Sequence, residues 1–166
     1  YGMETGDDAT LKAVNKGVDG EQAVEAGRRV TASGMKLSMM IILGLAGAEG
    51  SERHALATAK AINIIKPTHL SALCLMLYRG SELLDQYEAG KFNPLSPAGL
   101  MRELKLIIEN IDLPADRHCL FRSNHVSNYV QLAATLPHDK QRLLRDIDYS
   151  IAQLSKLKSW DVYNYN

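Results

Sequence analysis

A carboxylate, Glu4, follows the apolar opening Tyr1-Gly2-Met3 and precedes Gly6-Asp7-Asp8. At the end of a strand it can accept hydrogen bonds from an amine or from ribose hydroxyls. Beside Asp7 and Asp8 it reads equally well as a solvated or capping carboxylate. The run Gly44-Leu45-Ala46-Gly47-Ala48-Glu49-Gly50 lets a ligand approach the backbone, and the helix behind it offers free N–H groups. A dinucleotide fingerprint needs G-x-G-x-x-G and a carboxylate about 20 residues on. The spacing here is wrong, and no carboxylate ends the following strand. A tight strand-to-helix turn is the better reading, with a phosphate at Gly44–Gly47 the weaker one. Arg122, Asn124, His125 and Asn128 cluster in FRSNHVSNY. Such a set can bind a ligand or tie down a long connection by capping backbone groups, and the structural role is favoured. His118-Cys119 with His125 matches no zinc spacing, and no Ser-His-Asp order or nucleophile elbow appears.

These residues need elements to position them. Asp7 or Asp8 can cap a first helix, and Asp19 with Gln22 forms a second capping pair. Lys36–Gly44 (KLSMMIILG) is a nearly unbroken apolar run, which reads as a parallel strand buried on both faces. Ser51 is placed to cap a helix to about Lys66, which Pro67 stops. Thr68–Leu77 is a second strand-like run, followed by the turn Arg79-Gly80-Ser81 and a short helix to about Glu88. Ser96-Pro97 starts a helix with the stripe Met101, Leu104, Ile108 and Ile111. His118–Arg122 reads as a short strand, Ser123–Leu132 as irregular, and Pro137 as the opening of a last helix. Alternation of this kind predicts α/β with parallel strands and right-handed crossovers. It gives about three βα units, where a closed eight-fold barrel takes roughly 250 residues, so an arc remains.

The 166-residue length allows one domain or a piece of a larger one, with a substantial core. Lys plus Arg and Asp plus Glu each number 19, so no global field draws nucleic acid or an anionic membrane. The two cysteines, Cys74 and Cys119, lie far apart, which fits a reducing, cytoplasmic setting rather than a disulfide scaffold. The longest apolar run is too short to span a bilayer, and no basic-then-apolar signal opens the chain. The chain begins at Tyr1, and YGMETGDD reads like the end of a strand running into a helix, which suggests a fragment.

Taken in order, YGMETGDD…LKAVNKG, GMKLSMMIILGLAGAE and KPTHLSALCLMLYRGSEL resemble the second half of a radical S-adenosylmethionine (SAM) core. The branch is the one holding the oxygen-independent coproporphyrinogen oxidases, the Elongator-type enzymes and the methylthiotransferases. The matching residues are Gly2-Met3-Glu4-Thr5, Asn15-Lys16, Ile42 through Glu49, and Gly80-Ser81. FRSNHVSNYVQLAATLPHDKQRLL also resembles a tail found in this superfamily, so the likeness covers about residues 1–150.

The resemblance implies a partial TIM-type (β/α) barrel, of which this chain supplies about three parallel strands with outer helices plus C-terminal helices. Residues 1–95 would be the βα units, 96–158 a helical extension with a short strand, and 159–166 a tail. It implies S-adenosylmethionine across the strand ends, with Glu4 and Lys16 reaching its methionine or ribose portion. Ile42 and Gly44 would flank the adenine, and Met76 or Leu77 would offer backbone to it. Arg122, Asn124, His125 and Asn128 would border the substrate side. Met40 stands where some relatives carry an acidic residue, so a polar contact there is lost. The family's 4Fe–4S cluster is held by CxxxCxxC, which this chain lacks. The parent protein would carry the cluster and S-adenosylmethionine, and this chain alone would be inactive. Its partner would be the missing N-terminal half of the domain. The competing expectation is a non-catalytic half-barrel that self-associates through its exposed edge strand.

Overall fold

The computed structural model describes residues 1–156. The chain runs β1 (Gly2–Glu4), α1 (Asp8–Ala13), α2 (Gly20–Ala32), β2 (Ser38–Leu43), α3 (Gly47–Ile65) and β3 (His69–Cys74). It continues α4 (Glu82–Glu88), α5 (Pro97–Asn110), β4 (Cys119–Ser123), β5 (Leu132–Leu136) and α6 (Lys140–Leu154). The Trp160–Asn166 tail lies outside the described residues.

Local chemistry sets most helix starts. Asp7 accepts from the Thr10 backbone N–H at the head of α1. Asp19 and Gln22 exchange hydrogen bonds in a full capping box at α2. Ser96 accepts from Gly99 N–H ahead of Pro97 at α5. Two expected starts move. Helix α3 begins at Gly47, a turn before Ser51, because positive φ at Gly44 (80°) and Gly47 (66°) reverses the chain within four residues. Ser51 is therefore inside the helix. Helix α6 begins at Lys140, since Pro137 still belongs to the exit from β5.

The strands form one sheet in the order β1-β2-β3-β4-β5. β1 through β4 are parallel, and β5 runs antiparallel to β4. The α/β class and the arc of a partial TIM-type barrel stand as expected. The count of about three strands rises to four parallel ones plus β5, a strand the alanine-rich LAATL did not announce. Segment 96–158 thus adds two strands to the same sheet, with α5 as the β3-to-β4 crossover.

The expectation that β2 is buried on both faces is corrected. Met39, Ile41 and Leu43 are buried, while Ser38 and Met40 are exposed and Ile42 is half-buried. The same alternation repeats along β3, β4 and β5. One sheet face packs through Ile41, Leu70 and Phe121 against Ile62, Leu104 and Ile147 of α3, α5 and α6. Among the described residues no helix packs on the opposite face. Register places Gly2, Met40, Ser71, Arg122 and Ala133 in one row across it. A helix-free face on a parallel sheet is what the inner wall of a partial TIM-type fold presents.

Candidate functional site

In parallel α/β sheets, ligand chemistry collects at the carboxyl ends of the strands. Here those ends belong to β1, β2 and β3. β1 stops at Glu4, which adopts φ 64°, a left-handed conformation that costs a non-glycine residue about 1 kcal/mol. The register against β2 shifts between Gly2 and Glu4. This bend aims the Glu4 carboxylate at Lys16, whose Nζ lies 3.1 Å away. Both side chains remain part-exposed. Asn15, also left-handed at φ 53°, turns the chain after α1, and its amide donates to Glu82 of α4 at 3.5 Å. The structure therefore brings the two expected residues Glu4 and Lys16 together.

At the end of β2, Gly44 starts the turn. A Cβ there would stand 2.7 Å from Leu100 Cδ2, so glycine is required twice, by φ and by space. Gly47 lies against Phe92 and the Asn93 carbonyl, and Ala48 N–H donates to that carbonyl at 2.8 Å. The head of α3 is thus partly closed by chain, which weighs against a phosphate at this turn. Ile42 faces the uncovered side two residues earlier. Met76 and Leu77 follow β3; Leu77 is buried, and Met76 Sδ accepts from the Tyr78 hydroxyl.

The FRSNHVSNY cluster divides. β4 pairs with β3 only as far as Ser71 opposite Arg122. Beyond that row two side chains replace the ladder. Cys74 N–H donates to Ser127 Oγ at 3.1 Å, and Asn128 Nδ2 donates to the Ala72 carbonyl at 2.9 Å. His125 Nδ1 is 2.9 Å from Ser127 Oγ and holds it in place. Asn128 and, through Ser127, His125 thus close the sheet where β4 leaves it. Asn124 and Arg122 are exposed, and Arg122 stands on the helix-free face with its Nη1 on the Phe121 carbonyl. Asn128→Ala leaves the Ala72 carbonyl without its donor. An expected loss of about 1–2 kcal/mol in urea denaturation follows, while Asn124→Ala stays within about 0.5 kcal/mol.

Sequence reasoning missed the centre of the site. Glu103, on α5, is 2% exposed and reaches under the β2 turn. It accepts from Gly44 N–H at 2.6 Å and from the Ser51 hydroxyl at 2.5 Å. His54 of α3 is fully buried, with Nε2 3.6 Å from Glu103 and Nδ1 2.7 Å from Thr5 Oγ1. Burial pushes the Glu103 carboxyl up to about 7, against the pull of its two hydrogen bonds. Burial pushes the His54 imidazole down to about 4. Nearby, Asp7 is drawn upward by burial, yet hydrogen bonds from Arg53 and Thr10 hold it below the usual carboxylate range. The available signal was spacing: Glu103 shares a helical face with Leu100 and Ile107, and both are core.

The donor set does not fit an iron–sulfur cluster. Cys74 ends β3 and Cys119 begins β4, so they lie at opposite ends of the sheet, about 20 Å apart at 3.3 Å per residue. Burial pushes both thiols up to about 12, away from the thiolate a metal needs. Among the described residues no three His, Cys, Asp or Glu side chains are grouped to hold a metal ion. No helix among them is long and apolar enough to cross a membrane.

No family model and no curated protein matches the chain. Among solved structures it is similar to the archaeal Methanocaldococcus infernus Elp3 with an N-terminal deletion (1–46). The TM-score is 0.61 at 16% identity, over 95% of this chain and 36% of that one. The chain therefore spans about a third of the Elp3 structure's length, and at this identity the likeness is one of fold. Nearly the whole chain shares the α/β, partial TIM-type fold of a segment of Elp3.

Proposed function

We propose that the chain is the C-terminal part of a radical S-adenosylmethionine core of the Elongator-type branch, contributing part of the S-adenosylmethionine site and of the substrate side. The supporting observation is the helix-free sheet face, whose carboxyl end carries Glu4–Lys16 and the Gly44–Gly47 turn side by side. A radical SAM-like fold, suggested by the Elp3 likeness, agrees with this. Glu4 and Lys16 offer one carboxylate and one ammonium, the complement of an amino-acid zwitterion. Ile42 offers an apolar surface to adenine, and the strand ends at Gly44, Met76 and Leu77 offer backbone groups. Arg122, on the same open face, suits the substrate side. When bound, the cluster would supply an electron to the sulfonium, and its three cysteines must come from outside this chain. Alone, the chain is inactive in this reading, and its partner is the upstream half of the barrel in the cytoplasm.

The test is the chain translated together with the coding sequence upstream of Tyr1, reconstituted anaerobically. Release of 5′-deoxyadenosine from S-adenosylmethionine is the expected result. An upstream sequence without CxxxCxxC would sink the proposal. A second reading rests on the same open face: Met40 is 39% exposed there, and β1 is a free edge. A homodimer in sedimentation of the 166-residue chain, abolished by Met40→Lys, would favour a self-associating half-barrel.

A further inference from the structure

We propose that Glu103 is a positioning residue that locks the ligand-bearing ends of β1 and β2 to one another. This deepens the site described under Proposed function and rests on that reading for its ligand. The argument begins with a buried polar chain. Gly44 N–H and Ser51 O–H both converge on the Glu103 carboxylate. Thr5 Oγ1 accepts from Asp7 N–H at 3.0 Å, which leaves its own proton free to donate to His54 Nδ1. With the Thr5 hydroxyl donating to Nδ1, the remaining ring proton stands on Nε2. Nε2 has no hydrogen-bond partner, is fully buried, and lies 3.6 Å from Glu103. The result is a directed series from the β1 exit at Thr5, through His54, to the β2 turn at Gly44.

A solvated carboxylate on α5 would serve the helix as well at much lower cost, since burying a charge is expensive unless it is paired and hydrogen-bonded. What the buried position adds is a fixed Gly44 amide. The turn from Gly44 to Gly47 holds two positive-φ glycines and one hydrogen bond of its own, from Gly47 N–H to the Gly44 carbonyl at 3.1 Å, which leaves the Gly44 amide to be fixed from outside. With the Gly44 amide held from below, the backbone on its ligand side keeps one orientation. The charged and titratable groups around Glu103 are His54 with Asp7 and Arg53 behind it on the α3 side, and Cys74 on the β3 side.

The experiment is a pH series of amide nitrogen–proton spectra on the 166-residue chain and on Glu103→Gln, with exposed Glu109→Gln as control. In the native chain and the control, the Gly44 amide proton should lie far downfield and titrate with a midpoint near 7. In Glu103→Gln that titration should vanish, while the fold keeps its remaining spectrum. A Gly44 amide whose shift in Glu103→Gln is the same as in the native chain from pH 5 to 9 overturns the proposal. Nitrogen shifts of His54 give an independent readout: a protonated Nε2 above pH 7 supports the series, and a protonated Nδ1 overturns it. S-adenosylhomocysteine is then added to each protein. Shifts confined to residues 4–5 and 42–47, with about tenfold weaker binding by Glu103→Gln, complete the case. Absence of any such shift in a chain whose Gly44 amide does titrate counts against the ligand reading alone, and upholds the positioning role of Glu103.

Discussion

Gly6→Ala is expected to destabilise the chain by about 3 kcal/mol or to prevent folding. A Cβ at this position would stand 2.4 Å from the Ala57 carbonyl oxygen and 2.7 Å from its carbon. Both are backbone atoms in the middle of α3, so no side-chain rotation relieves the contact. The exit from β1 would have to lift off α3, and with it would go the bond from Gly6 N–H to Thr58 Oγ1. Gly34→Ala makes the comparison, since nothing lies within 4 Å of its Cβ and only the φ of 83° opposes it. Its cost should be about 1 kcal/mol. Urea denaturation followed by circular dichroism measures both. Equal losses at the two positions would mean that the α3 contact is softer than the geometry says.

The second large effect concerns pH. Glu103 titrates near 7 in the folded chain against 4.5 unfolded, so its neutral form is the one folding favours. Its contribution to stability is present below 4.5 and is lost as pH rises to about 7. His54 moves the other way, to about 4 against 6.5. Its contribution is present above 6.5 and is lost as pH falls to about 4. Between 4.5 and 6.5 the unfolded chain holds its proton on the imidazole and the folded chain holds it on the carboxyl. Proton counts match, and this pair gives no pH slope there. Glu103→Gln removes one half of the balance. Relative to the native chain it should gain roughly 3 kcal/mol as pH rises from 4.5 to 7. The check is the difference between the two urea-midpoint curves over that range. A constant difference would show that Glu103 does not change its titration on folding.

How much of this was legible depended on whether a residue's role was local. Asp19 with Gln22, Asp7 and Ser96-Pro97 each act on a helix end within three residues, and each does so in the structure. The apolar cores of β2 and β3 were visible as runs, though their trimmed ends and one open face were not. Openness depends on which strands lie opposite, and no residue of β2 encodes that. β5 was missed because Ala133 and Ala134 carry little strand signal, and its pairing with β4 supplies what the residues do not. Glu103 and His54 were missed for a related reason. Each looks like a polar position on a helix surface until Gly44 and Thr5, 59 and 49 residues away, are folded onto them. Ser51 was seen but given the wrong partner: its hydroxyl serves Glu103 rather than a helix end. Glu4 and Lys16 were paired by resemblance, and their contact across the β1 exit is a geometric fact independent of it.

The sheet's spatial order is the same as its order in the chain, from β1 through to β5. Nothing is threaded between strands already placed. During synthesis each new strand meets its neighbour already exposed from the ribosome, and assembly can proceed like courses of brick. Among the described strands β1 is the outermost and has a partner on one side only. A strand placed beside β1 lengthens the wall without disturbing a single existing pair. An arc built in this way is a unit from which larger barrels can be composed by addition alone.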